Sequence, residues 1–186
     1  MVQISFTSSF LKTVYIPHNT QTGEVEITEA SIVELSSKDK NDIEALDKTS
    51  KEWQKIKSGY APSIYYEMFK PRLYPDVNYE KILALTTQNE DYNKLDYQKI
   101  LGLAVYSDKT EPVNEISWLQ TNPKTNFETK NKREYKELGK KLVDYMKEIS
   151  DKPLYVQSSD KAIKFYEKQG FEAIDSSHPS IMIYEG

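Results

Sequence analysis

The chain has 186 residues, enough for one domain with a full hydrophobic core and too few for two of ordinary size, and it carries 29% charged residues and a formal net charge of −4. No apolar run approaches the roughly 20 residues of a membrane span, and the start, MVQISFTSSFLKTVYIP, lacks a basic n-region and a small-residue cleavage site, so neither a membrane partner nor a secretory leader is expected and a cytoplasmic home fits. The absence of cysteine removes disulfides, thiolate nucleophiles and cysteine-built zinc sites together, and the two histidines, His18 and His178, stand in no metal-ligand spacing.

Residues 1 to 30 alternate weakly (VQISF, GEVEIT) around the turn-rich HNTQTG and read as an N-terminal extension with one or two strands. The rest, 31 to 186, reads as a single domain. SIVELS (31 to 36) is a predicted strand, and Ser36 and Ser37 are candidate N-caps for a helix over about 39 to 56, on which Ile43, Leu46, Trp53 and Ile56 share a face. From 57 to 79 the prolines and Gly59 break the regularity while tyrosines accumulate, which predicts a loop and a short helix. KILALTT (81 to 87), KILGLAVYS (99 to 107) and NEISWLQT (114 to 121) are three predicted strands, the last stopped by Asn122-Pro123.

A polar, basic connection leads to a helix predicted from about Arg133 to Ile149, with Tyr135, Leu138, Leu142, Tyr145, Met146 and Ile149 at spacings of three and four. PLYVQS (153 to 158) is a strand, 160 to 169 a helix ended by Gly170, and FEAID and IMIYEG are two last strands. Strands interleaved with helices in this order predict an α/β (α+β) domain, a mixed and mostly antiparallel central sheet flanked by helices. No G-x-S-x-G elbow and no G-x-x-x-x-G-K-[ST] loop occurs, which removes the serine-hydrolase and P-loop classes.

The run REYKELGKKLVDYM opening one helix and KAIKFYEKQGF closing the next, within this element order, resembles the GNAT superfamily of N-acyltransferases over roughly 31 to 186. The most specific piece is Ala162-x-x-Phe165-Tyr166-Glu167-Lys168-x-Gly170-Phe171. The resemblance implies acetyl-CoA as cosubstrate, with no metal, and transfer of its acetyl group to an amine of a small molecule or a protein. It implies Tyr166 as the acid at the leaving thiolate and Glu115 as the base for the amine, and it puts Leu119 and Thr121 beside the pantetheine arm. Tyr65 and Tyr66 fall where the family forms its acceptor pocket, and His178 could edge it. A homodimer is allowed.

A helix N-terminus with free N–H groups suits a diphosphate, and Lys130, Lys132, Arg133, Lys136, Lys140 and Lys141 crowd this one. The cofactor-binding candidates are therefore Leu119, Thr121, Arg133, Lys136, Leu138, Gly139, Lys140 and Ser159, the last as a helix cap where the family commonly has asparagine. The family's loop pattern, Q/R-x-x-G-x-G/A, falls on Glu134-x-x-Glu137-x-Gly139, so that only Gly139 agrees, and a Glu137 carboxylate about 6 Å from a phosphate would repel it by roughly 3 kcal/mol at an effective dielectric of about 20. This departure motivates the alternative, a non-catalytic module of the same fold that binds a protein partner. A nucleic-acid patch on the 130 to 141 lysines is the weakest reading, opposed by the net negative charge, and no nucleic acid is expected.

Overall fold

The computed structural model describes residues 8–20, 22–74, 80–126 and 134–186. Eight strands form one sheet: β1 (Ser9–Asn19), β2 (Val25–Leu35), β3 (Lys81–Thr86), β4 (Ile100–Ser107), β5 (Asn114–Thr121), β6 (Leu154–Gln157), β7 (Glu172–Ala173) and β8 (Ile181–Tyr184). Their spatial order is β1-β2-β3-β4-β5-β6-β8-β7. Every neighbouring pair is antiparallel except β5 and β6, which run parallel.

The central strands β3 and β4 are buried along nearly their whole length, because helices cover both faces of the sheet. On one face α1 (Lys40–Ile56) and α2 (Ala61–Glu67) press Leu46, Trp53 and Ile64 onto Ile82, Ala84, Leu103 and Val105. On the other, α5 (Leu138–Ile149) and α6 (Ile163–Glu167) bring Leu142, Met146 and Tyr166 to Leu83, Leu85, Ala104 and Ile116. Two one-turn helices, α3 (Lys70–Leu73) and α4 (Pro123–Asn126), complete the set. The alternation of Ile82/Leu83/Ala84/Leu85 between the two cores is the period-2 signature of a strand clothed on both sides.

β1 and β2 are two 11-residue strands paired over most of their length, and Val14, Ile16 and Ala30 are core residues. The expected boundary at residue 31 therefore falls inside β2. Asp39, not Ser36 or Ser37, caps α1, accepting from the Asn41 N–H at 2.7 Å. α5 begins at Leu138 rather than near 133, since Glu137 is left-handed (φ 61°) and the residues before it bond to β1. The last helix is shorter than expected: a 3-10 turn over Asp160–Ala162 precedes the five residues of α6. Gly170 adopts φ 80°, a left-handed stop that a side chain would oppose, and turns the chain into Phe171.

Candidate active site

β5 and β6 pair only from Asn114–Leu154 to Ile116–Val156. Asn114 fastens this short base: its buried amide donates to Ser150 Oγ at 2.8 Å and to Asp151 Oδ1 at 3.1 Å, and its N–H donates to the Pro153 carbonyl. Immediately beyond, the register against β4 slips between Val105–Trp118 and Tyr106–Ile116, so that Ser117 is an extra residue, a bulge that bends the strand. From there β5 keeps β4 but leaves β6, and the sheet opens. An opening between parallel strands exposes backbone N–H and C=O groups along β5 to whatever enters it.

The bulge also sorts side chains between the faces. Leu119 packs on the core beneath α5 and α6, and the Thr121 methyl lies 3.8 Å from where a Gly139 Cβ would stand. Trp118 and Gln120 turn to the opposite face, where Tyr60 tilts on the Trp118 ring at 5.1 Å and Gln120 Oε1 accepts from the Ala61 N–H at 2.7 Å.

At one side of the opening stands the start of α5. Its first intrahelical bond is Lys141 N–H to the Glu137 carbonyl, so the N–H groups of Leu138, Gly139 and Lys140 lie outside the ladder, and no Glu137 side-chain cap occupies them. Glu137 is exposed, and its side chain makes no capping hydrogen bond to these amides. Gly139 matters sterically: Phe165 Cζ comes within 3.2 Å of its missing Cβ. These amides, without a partner among the described residues, and a glycine under an aromatic ring suit a diphosphate continued by a flexible arm.

Next to that ring is Tyr166, 5% exposed, wedged edge-on between Phe165 (5.0 Å) and Phe171 (5.4 Å). Burial pushes its phenol well above the ordinary tyrosine value, and the nearby phenol of Tyr60 adds to the shift. Tyr60 is 41% exposed and starts α2, so the two hydroxyl-bearing rings meet within electrostatic reach from opposite faces of the sheet.

Glu115 is half-buried at the last rungs before the bulge, opposite Tyr155. Burial raises its carboxyl above the usual range, the Glu80 charge adds to the rise, and Lys70 opposes it. Glu80 accepts from Ser117 Oγ at 2.8 Å, and Lys70 pairs with Glu67 at 2.6 Å. Carboxylates and the Tyr60–Trp118 pair thus occupy the α2 side of the opening. Within the tyrosine-rich 57 to 79 segment the sequence pointed to Tyr65 and Tyr66 rather than Tyr60, and it passed over Trp118, Glu80 and Glu67; the Gly59-Tyr60-Ala61-Pro62 helix start was a local signal for Tyr60.

The other expected positions are distributed as follows. Lys136 is exposed, with its N–H committed to the Pro17 carbonyl, and Lys140 reaches back along α5 to pair with Asp144. Ser159 does not cap through its side chain; its carbonyl accepts from the Ala162 N–H at 2.8 Å. Tyr65 packs edge-on against Phe69, with Asp47 and Lys51 of α1 as its charged neighbours, and Tyr66 is 52% exposed. His178 is an exposed turn residue, 3.2 Å from Asp175 Oδ2. Arg133, with Lys130 and Lys132, lies outside the described residues. Among the described residues no group of three or more His, Asp or Glu could hold a metal, and no helix is long and apolar enough to cross a membrane.

No family model and no curated relative matches the sequence. Solved structures do match in fold. AtaT complexed with acetyl-methionyl-tRNAfMet is 12% identical with a TM-score of 0.51, the match covering 84% of this chain and 94% of that one. A Lactobacillus plantarum protein assigned as an N-acetyltransferase is 11% identical with a TM-score of 0.50, covering 83% and 94%. At these identities the likeness is one of fold alone, and it agrees with the expected GNAT-like fold, a mixed and mostly antiparallel sheet flanked by helices.

Proposed function

We propose that the chain transfers an acetyl group from acetyl-CoA to an amine. The observation that carries this reading is the opening between β5 and β6 beside the uncapped start of α5, against which Phe165 packs the helix that carries Tyr166. The amides of Leu138, Gly139 and Lys140 would hold the diphosphate, and β5 beyond its last rung with β6, with the Leu119 side chain and the Thr121 methyl, would lie along the pantetheine arm. When bound, acetyl-CoA supplies an activated thioester carbonyl.

An acceptor amine of pKa about 10.4 arrives as an ammonium, and making it neutral at pH 7 costs about 4.6 kcal/mol. Glu115 is suited to take that proton, because burial and the Glu80 charge raise its basicity above that of an ordinary carboxylate. The neutral nitrogen then bonds to the carbonyl carbon, the carbon–sulfur bond breaks, and the sulfur leaves with the electron pair. Tyr166 would meet the departing sulfur. A thiol has a pKa of about 8.5 and this phenol one well above 10, so complete proton transfer from phenol to thiolate is uphill by more than about 2 kcal/mol. Its contribution is therefore a hydrogen bond donated to the sulfur as charge develops there, while the nitrogen sheds a second proton as its bond to carbon forms; of the two protons the ammonium loses, one ends on the thiol and the other passes to solvent.

The carboxylates on the α2 side favour a cationic acceptor. The expected exclusion of nucleic acid is not carried forward: AtaT is seen with acetyl-methionyl-tRNAfMet, so an amine carried on RNA belongs beside small amines and lysine peptides among the acceptors to be tried. The test is thermal. Acetyl-CoA at 100 times its dissociation constant should stabilise the fold by about 2.7 kcal/mol, a rise of about 5 to 10 °C for a chain this size. Release of free thiol with one of the three acceptor classes should follow. An unmoved melting temperature at millimolar acetyl-CoA would replace this reading with that of a non-catalytic, protein-binding module.

A further inference from the structure

The N-terminal hairpin reaches the loop that opens α5. The Asn19 N–H donates to the Glu134 carbonyl at 2.7 Å, and the Lys136 N–H donates to the Pro17 carbonyl at 2.9 Å. Between these bonds His18 and Tyr135 form an isolated antiparallel bridge, their rings stacked at 4.6 Å and 16° from parallel. Further back along β1, Lys12 pairs with Glu148 near the other end of α5, and Val14 and Ile16 join the core that α5 covers. β1 thus runs beside the helix from its last turn to the residues before its first.

The three fastened residues come directly before Glu137, whose φ of 61° is a left-handed conformation that L residues other than glycine oppose. A single strained residue between a tethered segment and a helix is held by its flanks, because relaxing it would break the bonds on one side or unwind the first turn on the other. The direction in which the Leu138, Gly139 and Lys140 amides point depends on that residue.

We infer that the end of β1 is a clamp on the anion-binding turn, and that His18, acting through Tyr135, is a positioning residue for the diphosphate of acetyl-CoA, an inference that rests on the acetyl-transfer reading. His18 does not touch the ligand in this role. It holds Tyr135, Tyr135 holds Glu134 to Lys136 against β1, and the amides of α5 are presented already oriented, so that binding does not have to order them.

The experiment compares acetyl-CoA dissociation constants, by calorimetry well below the melting temperature, for the wild type, His18→Ala, His18→Phe and the remote hairpin control Tyr15→Ser. Loss of one ring pair should weaken binding in His18→Ala about three- to tenfold. His18→Phe keeps the stack and should recover most of it, and Tyr15→Ser should match the wild type. Amide hydrogen exchange of Leu138 to Lys140 should quicken in His18→Ala while β3 and β4 keep their protection. Should His18→Ala not fold, Tyr135→Leu removes the same contact from the other side. Wild-type protein that binds no acetyl-CoA would end the acetyl-transfer reading and the clamp with it, whereas wild-type binding left intact in His18→Ala would end the clamp alone.

Discussion

The ring of Phe165 comes within 3.2 Å of the point where any side chain at Gly139 would begin, which ties the first turn of α5 to the helix that carries Tyr166. Two opposing effects meet in Gly139→Ala. Replacing glycine inside a helix contributes up to about 1 kcal/mol, and crowding a packed ring costs about 1 to 3 kcal/mol. Stability should change little or fall slightly. Acetyl-CoA affinity and turnover should both drop, because the added methyl crowds the ring that packs on Tyr166. Calorimetry and thiol release would measure this, and adding Phe165→Leu to Gly139→Ala should return the melting temperature to the wild-type value or above it.

Tyr166→Phe separates packing from chemistry. The ring contacts with Phe165 and Phe171 survive, and no hydrogen bond of the hydroxyl joins the described residues, so the melting temperature should hold or rise. Turnover should fall by about 10- to 100-fold with the acetyl-CoA dissociation constant unchanged, as expected for a hydrogen bond that forms as the sulfur gains charge. Because burial raises this phenol, its ionisation should contribute no alkaline limb below about pH 10. Equal turnover in the two proteins would assign Tyr166 to the core alone.

Much of this arrangement is legible in the sequence wherever local pattern and burial agree. Leu46 and Trp53 on α1 and the unbroken apolar runs of β3 and β4 follow from periodicity, and each is where the pattern puts it. The misses have a common cause. Tyr135 and Leu138 share helical spacing, yet Tyr135 lies outside α5 because Pro17 and Asn19, more than a hundred residues away in the chain, take the hydrogen bonds of its neighbours. The meeting of Tyr60 with Trp118 likewise depends on the bulge at Ser117, and nothing in NEISWLQT distinguishes a bulged strand from a regular one. Long-range bonds chose between outcomes that local propensity left equal.

Asp42 supplies a stability prediction. It is fully buried and accepts from the Ser36 N–H at 2.8 Å, yet burial outweighs that bond and pushes its carboxyl up to about 6 from an ordinary 3.8. A carboxyl with its folded value raised binds its proton more tightly in the native state. Its contribution to stability is therefore complete below about pH 4 and is lost as pH rises through about 6. The interval corresponds to about 3 kcal/mol at 1.36 kcal/mol per pH unit. Asp42→Asn keeps an acceptor for Ser36 and removes the titration. Denaturant unfolding at pH 4, 5, 6 and 7.5 should show the wild type losing that amount relative to the variant across the window; parallel curves would mean that Asp42 does not titrate there.

Glu115 connects the electrostatics of the opening to the rate. As a base it must be ionised, so kcat/KM should rise with pH through its raised value and level off above it. Glu115→Gln should remove that acid limb and slow the reaction about 100-fold near neutrality, measured between pH 5 and 9 with an amine that the wild type acetylates. Glu80 faces Glu115 with like charge and Lys70 with opposite charge, so the limb should respond in opposite senses to their removal. Glu80→Gln lifts a repulsion, stabilises the Glu115 carboxylate and should move the limb to lower pH. Lys70→Met removes an attraction and should move it to higher pH. A limb that stays in place in both variants, or that persists in Glu115→Gln, would assign the proton transfer to another group or to water alone.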